Sequence, residues 1–113
     1  MREIDRGLLL VFPRQPFVDW VNLVGPTGTP ATLEEMRRDP EAILVPEFES
    51  AEDGDRLVNR LSREIFEHLL MEWHTNLDEW PATRDRRTFR QWFDVRCLPM
   101  VFDQVGEDIQ FLP

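Results

Sequence analysis

Between Phe66 and Phe93 the chain carries six aromatic residues, Phe66, Trp73, Trp80, Phe89, Trp92 and Phe93, in a stretch that otherwise reads as charged helix. Three of its four tryptophans lie there. Such rings hold most of the apolar area a small domain can bury, so a chain of 113 residues has to build its interior around them. The expectation is two aromatic-bearing helices packed together, with Trp73 as a core anchor and Trp80 as the plug between them.

The chain length and a hydrophobic fraction of 42% fit one domain spanning residues 1–113, with the tail 106–113 loosely held. Cys97 is the only cysteine, so no internal disulfide can form and a reducing, cytoplasmic compartment is expected. The apolar run Leu8–Phe12 is too short for a signal-peptide core or a membrane span. Net charge is -9, every cation being arginine, which makes nucleic acid an unfavourable partner at long range. Charge is also unevenly distributed. Five arginines lie between Arg84 and Arg96, and nine acids between Glu34 and Asp55, so these two stretches are expected to attract each other.

Gly7–Phe12 has the length and continuous apolarity of a central strand covered on both sides, ended by Pro13. Pro16 suits the first turn of a short helix that places Phe17, Trp20 and Val21 on one face and ends near Val24. Thr32 and Glu35 form a capping-box pattern for a helix over Leu33–Arg38. Ala42–Val45 reads as an edge strand because Pro46 cannot donate to a ladder. Ser50 caps the longest element, which runs to about Trp73 and bears a broad apolar arc. Thr83 is placed to cap a last helix that runs through Arg90 to Phe93. Val95–Asp103 has strand character interrupted at Pro99, predicting a bulge or a strand confined to Met100–Asp103. The order predicts an α+β fold, a sheet of about three strands covered by helices.

Pro16-Phe17, Trp20, Leu33-Glu34-Glu35, Leu44-Val45-Pro46-Glu47, Trp73-His74-Thr75, Trp80-Pro81 and Phe89-Arg90-Gln91-Trp92-Phe93-Asp94 together resemble a family of small, stand-alone bacterial proteins of unknown function. The resemblance spans nearly the whole chain. It implies a bacterial cytoplasmic domain and supplies no activity, cofactor or catalytic residue.

The sharpest candidate for chemistry is Glu64, His68 and Glu72, spaced four residues apart on the long helix, with His68 projecting within the apolar arc between Leu57 and Leu61. A carboxylate beside an imidazole raises its pKa and fixes its tautomer, as a general base requires, and the same three residues could ligate a metal. The bland alternative is a half-buried histidine held by helical ion pairs. His68 and His74 point about 120° apart on a continuous helix, so one zinc ion could not join them, and no metal or cofactor is expected. Cys97, flanked by Val95, Leu98 and Met100, reads as an apolar filler rather than a nucleophile. Gly25-Pro26-Thr27-Gly28 lacks the Gly-Lys ending of a phosphate loop.

Trp80, Arg86, Arg90 and Trp92 mix cations with aromatic rings, a combination used to receive partner segments or anions. The function these residues favour is a non-enzymatic interaction or regulatory module, with an aromatic groove rimmed by arginine and by Asp94. Its partner would be another protein or a second copy of the chain. The competing function is a small enzyme using His68 with Glu64 or Glu72 on an anionic substrate.

Overall fold

The computed structural model describes residues 1–113. A two-residue strand β1 (Arg2–Glu3) precedes β2 (Arg6–Pro13), which contains the apolar run and lies in the middle of a three-stranded antiparallel sheet. Two helices, α1 (Gln15–Val24) and α2 (Leu33–Arg37), lead to the edge strand β3 (Glu41–Pro46). The long α3 (Ala51–Trp73) follows, then a single turn over Leu77–Glu79 and α4 (Arg86–Trp92). The third strand of the sheet, β4 (Phe93–Leu98), starts where α4 stops, and β5 (Phe102–Asp103) returns to pair with β1. The α+β fold and the edge position of β3 agree with the sequence reading. No helix is long and apolar enough to cross a membrane.

Local chemistry sets the helix boundaries. Thr32 Oγ1 accepts from the Glu35 amide at 3.2 Å, one half of the expected capping box, while Glu35 Oε1 accepts from the Thr32 hydroxyl at 2.8 Å instead of from its backbone amide. Ser50 caps α3 through the Asp53 amide at 3.1 Å. At α4 the cap is Asp85, accepting from the Thr88 amide at 2.8 Å, and not Thr83. A carboxylate at that position also answers the positive end of the helix dipole, which a threonine two residues earlier cannot reach.

The last third of the chain departs from expectation in register. Phe93 is the first residue of β4 rather than the last of a helix, and pairs with Pro13, while Leu98 pairs with Leu8. The sheet strand therefore lies before Pro99, and of the expected Met100–Asp103 only Phe102–Asp103 extends, as β5. Proline divides the apolar stretch into β4 and the two-residue β5, since its nitrogen has no proton for a ladder. Arg14 joins helix to sheet: its amide donates to the Trp92 carbonyl and its guanidinium to the Arg90 carbonyl, both at 2.8 Å.

One face of the sheet carries Leu9, Val11, Val45 and Phe93 into a cluster of 15 buried residues shared with α1, α3 and α4. Its aromatic centre joins Phe17, Phe66, Phe89, Trp92 and Phe93, with ring centroids 4.8 Å apart for Phe17–Phe93 and 5.3 Å for Phe66–Trp92. These separations lie in the favourable range for tilted and edge-on rings. Two glycines permit the close packing. A Cβ on Gly7 would overlap the buried Phe48 ring, and one on Gly54 would sit 3.2 Å from Cys97 Cβ, where α3 crosses β4.

Trp73 is not a core anchor. It is 49% exposed, lining an open cleft beside Val11 and Met36 instead of filling the interior, and Leu70 is the final α3 residue in the buried cluster. Trp80 is half buried and holds a turn: its Nε1 donates to the His74 carbonyl at 2.8 Å, and Trp20 Nε1 donates to the Glu79 carbonyl at 2.9 Å. The space between α3 and α4 is filled instead by Phe66, Phe89 and Trp92. Residues 104–113 form no regular element and are exposed, with Phe111 at 98%.

Candidate functional site

The C-terminal half of α3 lies alongside the start of β3. His68 and Glu72 stand one turn apart on the helix, and Glu41 is the first residue of β3. His68 Nε2 lies 2.7 Å from Glu72 Oε1 and 3.2 Å from Glu41 Oε1. One ligating atom from each of the three residues falls within 4.8 Å of the other two. The histidine side chain is 53% exposed rather than embedded in the apolar arc.

Partial burial and the facing carboxylate of Glu41 push the Glu72 carboxyl pKa up, with His68 acting in the opposite direction. No arginine pairs with either Glu41 or Glu72, although the chain has 13 of them. The two carboxylates also border a cleft of about 520 Å³ whose lining includes Val11, Met36, Leu69 and Trp73. Glu64 stays outside the cluster and makes no ion pair. It shares a neighbouring surface groove with Glu67, His68, Met71 and Trp80. His74 has a separate partner, Glu79, at 3.1 Å.

Glu41 was not visible as a member of this group. It is 27 residues from His68, and only the antiparallel β2–β3 register together with the packing of α3 brings them together. A lone glutamate opening an edge strand gives no periodic signal.

The arginine-rich segment divides. Arg90 turns inward, with Nη2 3.3 Å from Asn59 Oδ1 and 3.6 Å from Asp55. Arg84 lies over the Trp80 ring, its guanidinium 5.6 Å from the ring centroid, and pairs with Glu67 at 3.0 Å. The attraction between acidic and basic stretches is thus realised within the chain at Arg90–Asp55. Arg86 is exposed and has no ion-pair partner, and Trp92 packs against Phe17, Trp20 and Phe66. Arg86 and Trp92 are therefore separated by burial, one at the surface and the other against the core. Cys97 packs beside Gly54, where burial, and then Asp55, push its thiol pKa up, so it is held as a neutral thiol.

The second face of the sheet is apolar and open. Leu8, Leu10 and Phe12 of β2 alternate with the buried residues; Ala42 and Leu44 flank them on β3, and Leu98 on β4. Leu44 is 45% exposed. Asp94 and Arg96 lie on this face at one edge; Arg37 of α2 reaches over Phe12 and pairs with Asp94 at 3.4 Å, while Arg96 has no ion-pair partner.

No protein-family model, curated protein or solved structure matches the chain.

Proposed function

We propose that the chain is a non-enzymatic interaction module of the bacterial cytoplasm, and that its docking surface is the open face of the sheet, where a second copy of the chain packs. The carrying observation is the layer Leu44–Leu8–Leu98 with Leu10 and Phe12 beside it, apolar and partly exposed. Two antiparallel sheets stack through such faces at about 10 Å, their side chains interleaving into one interior. Asp94 and Arg96 support a two-fold arrangement. They lie two residues apart on the same face of β4, so Arg96 of each copy, unpaired within its own chain, can share the Asp94 carboxylate of the other with Arg37, the reciprocity that an isologous interface requires. Cys97, the single thiol, suits a reducing compartment.

The aromatic groove expected at Trp80, Arg86 and Arg90 supports this role less well, since Arg90 already satisfies Asp55 and Asn59 inside the chain. Light scattering across a concentration series tests the proposal. A dimer is expected, and Leu10→Asp should convert it to a monomer of unchanged helicity. A parent chain that stays monomeric at the highest concentrations would overturn it.

A further inference from the structure

We infer that Glu41, His68 and Glu72 form a binding site for a divalent transition-metal ion of the zinc class, which ties the edge strand β3 to α3. The donor set is one imidazole nitrogen and two carboxylate oxygens, a mixture that suits zinc and its neighbours better than magnesium or calcium, which prefer oxygen alone. The site is drawn from two separate elements, so it is a product of tertiary packing and not of helical repetition. The spacing fits. Metal bonds of about 2.0 Å set tetrahedral ligands about 3.3 Å apart, and His68 Nε2 lies 3.2 Å from the Glu41 oxygen. The 2.7 Å approach to Glu72 needs only a small opening of one flexible side chain.

Charge makes the same case. Two carboxylates converge on one imidazole in a chain that supplies arginine to Asp55, Glu67 and Asp94 but none to Glu41 or Glu72. Three protein ligands would leave a fourth position for water. Because the ion would hold β3 against α3, it stabilises the folded chain in proportion to its occupancy.

Titration of the metal-free chain with Zn²⁺, followed by calorimetry and by melting temperature, tests the site. One equivalent is expected to bind and to raise the melting temperature. His68→Ala and the isosteric Glu41→Gln should each weaken binding about tenfold or more and abolish the thermal shift. Glu64→Gln and His74→Ala should leave both readouts unchanged. All four positions are at least partly exposed, so the variants are expected to fold, and their melting without metal provides the control. On Zn²⁺ addition the His68 ring resonances should shift with the same stoichiometry. Absence of saturable binding, or binding that survives His68→Ala, overturns the inference.

Discussion

On the side of the sheet facing the helices, Leu9, Val11 and Val45 are sealed beneath α1, α3 and α4; on the other side, Leu8, Leu10 and Leu44 stay partly in water. The same strands supply both sets, and leucine occurs in each. What separates them is the supply of helix. α3 presents a long apolar arc and α4 a short aromatic one, and both are used on one side. Apolarity in a strand therefore states that a face can be buried, and the neighbouring elements decide within which molecule it happens.

The comparison can be broken first at its centre. Phe66→Ala, which removes a fully buried ring touching Phe89, Trp92 and Phe93, should cost about 3–5 kcal/mol by chemical denaturation, as large core truncations do. A smaller loss would show that the aromatic interior is loosely packed. Next comes Gly7→Ala, expected to cost about 1–3 kcal/mol because Phe48 must move aside. Pairing it with Phe48→Leu should recover part of that loss, and strict additivity would mean that strand and ring do not touch. On the open side, Leu44→Ser should change monomer stability by less than about 1 kcal/mol, well below any substitution beneath the helices. Trp73→Ala should likewise cost far less than Phe66→Ala, given its exposure.

The smallest effect concerns pH. Because the folded Glu72 carboxyl is raised above its ordinary value of 4.5, the native state holds that proton more tightly than the unfolded chain. Its contribution is present below about pH 4.5 and is lost as pH rises through the folded pKa. Glu72→Gln should therefore flatten the slope of melting temperature between pH 4 and pH 7. Identical slopes in parent and variant would show that neither partial burial nor Glu41 raises the Glu72 carboxyl in the folded chain.

Much of the fold was legible because its signals are local. Six successive apolar or small residues from Gly7, the capping pair Thr32 and Glu35, Ser50 before α3 and proline at the end of β3 each act within a few residues of themselves. The errors arose where a boundary depends on distant partners. Phe93 has the ring of a helix face, yet it extends because Pro13, 80 residues earlier, offers a ladder. Trp73 continues the apolar spacing of α3, yet it lines an open cleft instead of joining the buried cluster. The candidate site divides the same way. His68 and Glu72 were visible through helical spacing, whereas Glu41 enters only by tertiary contact, and the inward turn of Arg90 depends on Asp55 and Asn59 on another helix.

The middle strand acquires its two neighbours at very different points along the chain. β3 follows β2 after two short helices, but Leu8 pairs with Leu98, so the second ladder cannot close until residues through Leu98 are available. Loop-closure entropy for so distant a pairing should make refolding slower than in chains of this size built from local contacts, as stopped-flow refolding would measure.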